Sequence, residues 1–263
     1  MAVKVKTWSI RPDGWSGGPL RVVVIADLHA CRPWMGPQRV ARIVERAQSL
    51  GGDLVALLGD FVGHISLASP MPPAEVAALL APLKAPLGVW GVQGNHDWYD
   101  DPHAAAEDRP TIWQQALETS GIALLENRAT ELTNAGHSFT LAGLSSQRGL
   151  AKLAGAPRKG VDDLEATLRN VDPQKPTILL AHEPDVFPDL PDHVTLTLSG
   201  HTHGGQVRLL GWTPVVPSRY GSRYVYGHIV EGRRHLVVSG GLGYTTLPLR
   251  IGVPPEITVI EVS

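Results

Sequence analysis

Short apolar runs rich in valine, leucine and isoleucine constrain this chain more than any other feature of its sequence. Each run spans five to seven residues, which is the length of a buried strand and too short for a buried helix. The runs are Leu20–Ala26, Leu54–Leu58, Gly88–Val92, Thr177–Ala181, Thr195–Ser199 and His235–Ser239. Continuous apolar runs of this kind predict strands that are covered on both faces of a sheet.

Helical patterns lie between the early runs and give the strand and helix alternation of an α/β protein. The segments with apolar residues at helical spacing are Gln38–Leu50, Glu75–Leu80 and Ile112–Ser120. From Val194 onward the strand signals follow one another closely, with glycine and proline between them and little room for helices. We therefore expect the second half of the core to be mixed or antiparallel.

The chain contains no internal repeat and no segment with the composition of a domain linker. Pro70–Pro73 and Ala154–Gly160 are predicted to be loops, the second with Arg158 and Lys159 exposed. A chain of 263 residues with 43% hydrophobic content is long enough to bury one large core. We therefore expect a single domain over residues 1–263.

Charge and cysteine content exclude several classes of protein. The formal net charge of −2 offers no general attraction for nucleic acid or an anionic membrane. The single cysteine, Cys31, excludes an internal disulfide framework. The first residues contain no apolar run long enough for a signal peptide or a membrane span, so we expect a soluble, cytoplasmic chain. If a Met-Ala start replaces a removed leader, the protein would instead be membrane-attached or exported.

Polar residues follow five of the predicted strands, at the point where each strand ends. The clusters are Asp27-Leu28-His29, Gly59-Asp60, Gly94-Asn95-His96-Asp97, His182 and Gly200-His201-Thr202-His203. In an open α/β sheet, ligand sites form beyond the carboxyl ends of the strands, so these five loops are expected to converge.

The clusters combine carboxylate, imidazole and amide oxygen, which are ligands suited to manganese, zinc, iron and similar divalent ions. Cysteine takes no part, which disfavours a structural zinc site. Two ions roughly 3.5 to 4 Å apart need a bridging ligand, and a carboxylate has two oxygens to supply one. Asp60 is the candidate for that bridge.

Each cluster taken alone also has a structural interpretation. Gly-Asp at a strand end is a common turn, and asparagine or aspartate after glycine often caps a helix. A lone histidine such as His182 is more often a hydrogen-bonded core residue than a ligand. The Gly-His-x-His tetrad is more specific, because two imidazoles after one strand rarely serve packing. All five structural interpretations would have to hold together, so we favour a metal site.

In this order, the clusters resemble the sequence blocks of the calcineurin-like metallophosphoesterase superfamily. The segments that follow also resemble its bacterial branch, whose members are often membrane-anchored or exported. These segments are His201-Thr202-His203-Gly204-Gly205-Gln206, Pro217-Ser218-Arg219-Tyr220-Gly221 and Pro254-Pro255-Glu256-Ile257. The resemblance implies a four-layer α/β/β/α sandwich of two mixed sheets flanked by helices.

The resemblance also implies a role for each residue of the clusters. Asp27, His29 and His203 would hold a first metal, and Asn95, His182 and His201 a second, with Asp60 between the two. Mn²⁺ is the expected ion, with Zn²⁺, iron or Ni²⁺ as alternatives. A hydroxide shared by two cations would attack phosphorus in line, because both cations lower the pKa of the water it comes from. His96 would act on the leaving group as a general acid or by stabilising the transition state.

One position departs from the family pattern. Many relatives have an aspartate three residues after the bridging one, where it orients the catalytic histidine, whereas this chain has Gly63. Asp97, another carboxylate or the backbone would then have to orient His96.

The remaining signals are weaker. Cys31 and Trp34 follow the first cluster closely and would either line the cleft or pack an ordinary loop. The four residues of a later segment would either contact a substrate phosphate or belong to a surface hairpin: Arg219, Tyr220, Arg223 and Tyr224. Gly240-Gly241-Leu242-Gly243 lacks the context of a dinucleotide fingerprint and is interpreted as a turn near the cleft.

The substrate is expected to be a phosphate ester, either a small molecule or a lipid-linked compound. A phosphodiesterase is favoured, and a pyrophosphatase of UDP-diacylglucosamine type is the main alternative. No basic or aromatic stripe supports a nuclease. A regulatory module that has lost turnover would be expected to have lost ligands, and this chain keeps all seven. Peripheral membrane contact and the oligomeric state stay open.

Overall fold

The computed structural model describes residues 2–150, 160–209 and 212–263, so most of the loop predicted at Ala154–Gly160, including Arg158 and Lys159, lies outside the described residues. The strands are β1 (Lys4–Ile10), β2 (Leu20–Ile25), β3 (Cys31–Arg32), β4 (Leu54–Leu57), β5 (Ser69–Pro70), β6 (Val89–Gly91), β7 (Ala123–Leu124), β8 (Arg128–Asn134), β9 (His137–Leu144), β10 (Thr177–Ala181), β11 (Val194–Ser199), β12 (Gly227–Glu231), β13 (Arg234–Val238) and β14 (Glu256–Val262). The α-helices are α1 (Pro37–Gln48), α2 (Pro73–Leu80), α3 (Asn95–Asp100), α4 (Ile112–Thr119) and α5 (Leu164–Leu168). Three 3₁₀ segments cover Pro184–Asp189, His203–Gly205 and Gly221–Tyr224.

The strands form two six-stranded mixed sheets and one small ribbon. The first sheet has the order β1-β14-β2-β4-β6-β7, and only the β14–β2 pair is antiparallel. The second sheet has the order β12-β13-β11-β10-β9-β8, with antiparallel pairs only at its two edges. β3 and β5 form the ribbon. The parallel centres bring the carboxyl ends of β2, β4 and β6, and of β10 and β11, to one edge of each sheet.

Alternation along the strands divides the apolar residues between two sides of each sheet. In β2, Val22 and Val24 belong to the core between the sheets, where they share a cluster with Leu180 and Leu198 of the second sheet. Val23 points to the other side and joins a second core. The sheets therefore pack face to face through one apolar layer.

The outer faces of both sheets are covered by helical segments. The cluster that contains Val23 also holds Val44 of α1, Leu80 of α2 and Trp113 of α4. On the second sheet, a third cluster is built around Phe187 and other residues of two 3₁₀ segments, with leucines of α5 packed against it. The predicted four-layer sandwich is confirmed, although its outer layer on the second sheet is thin.

The six predicted strands and three predicted helices form within two residues of their predicted ends. The second half is mixed, as expected, but β10, β11 and β13 are parallel neighbours. Pro70–Pro73 is not a simple loop, because Pro70 pairs with Cys31 and Pro73 begins α2. The other eight strands were not predicted: β1, β3, β5, β7, β8, β9, β12 and β14. Among the described residues, no helix combines the length and apolar character needed to cross a membrane.

Candidate metal centre

The loops after the parallel strands meet where the two sheets adjoin. The Asp27 backbone N–H donates to the Gly59 carbonyl at 3.1 Å, which joins the loops after β2 and β4. The Gly200 N–H donates to the His182 carbonyl at 3.0 Å, which joins the loops after β10 and β11. The His201 N–H donates to Asp27 Oδ1 at 2.7 Å and so connects the first sheet with the second.

Five of the seven predicted metal ligands have a left-handed backbone. Their φ angles are 52° at Asp27, 47° at His29, 53° at Asp60, 67° at His201 and 54° at His203. Residues other than glycine rarely adopt this conformation, which costs of order 1–3 kcal/mol at each position and is concentrated at functional sites. The chain therefore turns sharply at each ligand and directs its side chain inward.

The first group of potential ligands consists of Asp27, His29, Asp60 and His203, whose donor atoms all lie within 4.8 Å of one another. His29 Nε2 lies 3.1 Å from His203 Nε2 and 3.4 Å from Asp60 Oδ2. These atoms thus converge on one point, and all four residues are buried.

The second group consists of Asp60, His182 and His201, again within 4.8 Å. His182 Nε2 lies 3.2 Å from Asp60 Oδ2 and 3.2 Å from His201 Nδ1. Asp60 is common to both groups and is the residue that sequence analysis selected as the bridge.

Two buried oxygens provide a test of whether cations fit here. Asn95 Oδ1 and Asp27 Oδ2 have no hydrogen-bond partner among the described residues. Buried acceptors without a donor are costly, and a cation is a partner that both can share with the neighbouring imidazoles. Asn95, the one predicted ligand outside both groups, thus has the atom that its predicted role requires. The donor set fits divalent cations.

Carbonyl groups behind three of the histidines fix the direction in which their rings bind. His29 Nδ1 lies 3.0 Å from Val62 O, and His182 Nδ1 lies 2.6 Å from Leu58 O. His201 Nε2 lies 3.0 Å from Pro217 O. A carbonyl only accepts, so each of these nitrogens donates a proton and the other ring nitrogen presents its lone pair to the centre.

Burial sets the charge of the centre. It raises the pKa of Asp27 to about 7 and lowers the pKa of His29 to about 3. Burial also raises the pKa of Asp60, but the facing imidazoles of His182 and His96 outweigh it and hold that pKa well below its usual value. Burial lowers the pKa of His182, but the Asp60 carboxylate outweighs it and holds that pKa well above its usual value. A cation that binds here therefore displaces a proton from His182.

Glycine lets two of the loops approach Asp60 closely. A Cβ on Gly94 would lie 2.2 Å from Asp60 Oδ1. Gly59 has φ +80°, and a Cβ there would lie 2.2 Å from the Gly94 nitrogen. No other residue fits either position without moving the loops. The close approach of the loops therefore explains why both sequence blocks have glycine at these positions.

His96 lies beside the two groups and belongs to neither. Its backbone N–H donates to Asp60 Oδ1 at 2.9 Å, and its ring centroid is 4.9 Å from that of His29. The Asp97 carboxylate is held by three backbone N–H groups, from which it accepts. The donors are those of Phe61, Val62 and Gly94, at 2.8, 3.2 and 2.9 Å.

The centre opens into a cleft of about 440 Å³. Asp60, Asn95 and His96 line its inner part together with Tyr99 and Arg148. Tyr99 and Arg148 were not predicted from the sequence, and neither was Arg250, which is buried and brings its Nη2 within 3.0 Å of His203 Nδ1. Since a guanidinium only donates, His203 Nδ1 accepts in this contact, whereas the three histidine nitrogens that face carbonyls donate. Isolated arginines carry no sequence signal for such roles.

The weaker signals of the sequence have structural explanations. Arg219 donates to the carbonyl of Asp185 and forms an ion pair with Asp189. Arg223 pairs with Glu231, which also accepts from the hydroxyl of the buried Tyr224. Another residue of that segment, Tyr220, packs on Tyr224. Cys31 is fully buried in the core. These contacts favour packing over substrate binding.

Comparison with known proteins agrees with this geometry. Residues 20–205 match the family model described as calcineurin-like phosphoesterase. The chain is 30% identical to the uncharacterized metallophosphoesterase YkuE of Bacillus subtilis, over 97% of this chain and 82% of that protein. It is 28% identical to phosphodiesterase YaeI of Escherichia coli, over 94% and 83%. The NAD nucleotidase NadN of Haemophilus influenzae shares the fold at a TM-score of 0.53 and 13% identity, covering 85% of this chain and 45% of that one.

Proposed function

This chain belongs to the calcineurin-like phosphoesterase family and is a metal-dependent phosphoric ester hydrolase, and from that premise we propose that it is a dinuclear phosphodiesterase. The observation that carries the proposal is the membership of Asp60 in both groups of potential ligands. Asp60 Oδ2 lies 3.4 Å from His29 Nε2 and 3.2 Å from His182 Nε2. A carboxylate placed between two sets of buried donors in this way is the arrangement that a pair of cations requires.

The proposed ligand sets follow from the two groups. Asp27, His29 and His203 hold the first cation, and Asn95, His182 and His201 hold the second, with Asp60 contributing to both. Nitrogen and oxygen donors without sulfur suit Mn²⁺, which we propose as the native ion, and also Zn²⁺, iron and Ni²⁺. When bound, the cations supply positive charge for the phosphoryl oxygens and acidify water.

The side chains of the cleft perform the other tasks of hydrolysis. His96 lies beside Asp60 at the inner end of the cleft, where it donates a proton to the leaving-group oxygen. Tyr99 and Arg148 line the same cavity, and the guanidinium provides a charge-assisted hydrogen bond to a phosphoryl oxygen. The left-handed backbone conformations keep the ligand side chains directed toward the centre before the substrate binds.

The outer part of the cleft supports a lipid-linked substrate. Six large apolar side chains are exposed by 38 to 71% on two segments, and we call this group the apolar rim. It consists of Leu209, Trp212, Val215, Leu247, Leu249 and Ile251. Val215 and Leu247 line the same cleft as His96, so the rim continues directly from the inner part.

The two segments of the apolar rim are joined to each other. The side-chain amide of Gln206 donates to the Thr245 and Leu247 carbonyls at 2.9 and 3.0 Å. The Arg208 N–H donates to the Ile251 carbonyl at 2.8 Å. No acidic residue lies between His201 and Pro217 or between Gly241 and Gly252. An exposed apolar surface without negative charge fits acyl chains next to an anionic headgroup.

A sugar-nucleotide pyrophosphatase of UDP-diacylglucosamine type is the second candidate, and the apolar rim is the observation that favours it. Such a substrate carries acyl chains as well as a phosphoanhydride. A regulatory module without turnover is disfavoured, because both ligand groups are complete.

A metal-reconstitution panel tests the proposal. The protein is stripped with chelator, supplied with Mn²⁺, Zn²⁺, Fe²⁺ or Ni²⁺, and assayed with a bis-aryl phosphodiester, an aryl monoester and an acylated sugar nucleotide. We expect turnover only with added cation, two cations per chain by elemental analysis, and the diester ahead of the monoester. One cation per chain at full activity would refute the dinuclear centre.

A further inference from the structure

The site lacks the carboxylate that orients the catalytic histidine in many relatives, and the structure indicates why it cannot be present. A Cβ on Gly63 would lie 2.3 Å from the carbonyl oxygen and 2.7 Å from the carbonyl carbon of His29. Both are backbone atoms of the loop that carries a predicted metal ligand, so neither can move aside cheaply. Any side chain at this position would displace His29.

The next residue of the chain takes that place. His64 Nδ1 lies 3.3 Å from His96 Nδ1, and the two rings face each other edge to edge, with centroids 5.6 Å apart and planes within 22° of parallel. On its other side, His64 Nε2 lies 3.5 Å from Asp100 Oδ1. The three side chains thus form a row from a carboxylate to the histidine in the cleft.

The chemistry of the row gives each hydrogen bond a direction. A carboxylate only accepts, so the His64 proton lies on Nε2 and points to Asp100. The Nδ1 atom of neutral His64 is then an acceptor, and the proton between the two rings belongs to His96 Nδ1. In the proposed acid role the His96 ring is an imidazolium, and its second proton, on Nε2, goes to the leaving-group oxygen. Holding the Nδ1 proton is the task that a carboxylate behind a catalytic histidine performs in other hydrolases.

Resting on the proposed acid role of His96, we propose that His64 and Asp100 are positioning residues that together replace the missing carboxylate. His64 acts as a spacer that extends the reach of Asp100 to the His96 ring. It holds the ring plane and its tautomer during turnover.

The carboxylate at the end of the row is held in place from behind. Trp113 Nε1 donates to Asp100 Oδ2 at 2.9 Å, and Trp113 is fully buried in the core. The hydrogen bond from His64 and the bond from Trp113 lower the pKa of Asp100, even though burial raises it. A fixed, ionised carboxylate is what the row requires at its far end.

Three variants test the row by kinetics on diesters of increasing leaving-group pKa, with metal content measured for each. His64→Ala is expected to keep two cations and an unchanged KM while kcat falls about 10- to 100-fold, the usual cost of losing a group that supports a site residue. The loss should grow with leaving-group pKa. His64→Gln should restore most of the rate, because its amide accepts from His96 and donates to Asp100.

Asp100→Asn is the sharper variant, since it changes only one atom. Its amide nitrogen would donate to His64 Nε2, which forces the His64 proton onto Nδ1 and sets two donors against each other at His96. We expect a loss similar to that of His64→Ala. His228→Ala serves as the matched control, because it removes a comparable contact of 2.9 Å, between His228 and His235, outside the cleft.

The double variant with His96→Ala separates this proposal from the proposed function. If His64 acts through His96, the His64 substitution should have no further effect once His96 is alanine. Additive losses, or a His64→Ala defect that is equal for all leaving groups, would refute the positioning role alone. If His96→Ala itself has no dependence on the leaving group, the acid assignment fails and the row fails with it.

Discussion

The cleft has two parts of opposite character, an inner floor and an outer rim. The floor consists of the seven predicted ligands, Asp27, His29, Asp60, Asn95, His182, His201 and His203, none more than 7% exposed. The apolar rim is exposed by at least 38% at each of its six positions. Each buried polar group must have a hydrogen-bond or metal partner, so the floor tolerates few amino-acid substitutions. Exposed side chains can be substituted with little loss of stability. The floor is therefore suited to determine the reaction, and the rim to determine the substrate.

The largest expected effect comes from the centre of the floor. Asp60→Asn removes the negative charge between the two groups and should reduce the bound metal below two per chain. We expect activity to fall by more than roughly 10³-fold, beyond the cost of losing a single electrostatic donor in other enzymes. Elemental analysis and kcat measured side by side check this. Near-normal turnover with two cations bound would contradict the bridging role and the division between floor and rim.

A smaller effect is expected beside the floor. His96→Ala should leave both cations bound and slow hydrolysis roughly 10²- to 10⁴-fold, the usual contribution of a positioned acid. The defect should increase with leaving-group pKa, because poor leaving groups depend most on proton donation.

Asn95→Ala is the matched control for His96→Ala. Its amide oxygen is one of the buried acceptors that have no hydrogen-bond partner among the described residues, so its loss should lower metal occupancy and activity together. Metal loss in His96→Ala would instead make His96 a ligand and extend the floor by one residue.

The preference between esters sharpens the comparison further. We expect the diester to exceed the monoester at least tenfold in kcat/KM, about 1.4 kcal/mol of transition-state binding, because the outer cleft can contact a second ester group. Parallel assays of matched aryl esters measure this ratio. A tenfold preference for the monoester would indicate that the floor alone selects the substrate.

The smallest effects are expected at the rim. Leu247→Ser should raise KM for a long-chain phosphodiester by about fivefold, or roughly 1 kcal/mol for a partly buried leucine, and leave kcat unchanged. A soluble bis-aryl diester should show no change, and the unfolding free energy should shift by less than about 0.5 kcal/mol. Val230→Ser, an exposed valine on β12, is the control. Equal effects on both substrates would show that the apolar rim does not select the substrate.

The floor could be predicted from sequence because its chemistry demands particular residue types directly after particular strands. The Asp60 bridge and the order of the five clusters are local signals of that kind. His64 was missed although it adjoins Gly63, because its role depends on a contact with His96 across two loops. The tautomer of a histidine ring and the residue behind it depend on three-dimensional contacts, which the spacing of residues along the sequence does not reveal.

The apolar rim and several strands could not be predicted from the sequence for a different reason. In the sequence, the segment that contains Leu247 and Leu249 resembles an apolar run of the core. Only the exposure of these two side chains in the structure indicates a surface function. β1 pairs with β14 at the opposite end of the chain, with Lys4 beside Glu256, and such a pairing leaves no local pattern. Both features depend on long-range packing.

The left-handed backbones at Asp27, His29 and Asp60 have a consequence for directed evolution of this enzyme. Asparagine also tolerates such angles, and at Asp27 and Asp60 it would keep the oxygen that accepts from a neighbouring backbone N–H while removing a buried charge. A library selected for heat resistance alone, in medium without divalent cations, should therefore accumulate asparagine at these two positions and lose activity. Selection would have to include turnover in every round to keep the ligands, because here thermal resistance and catalysis favour different residues at the same sites.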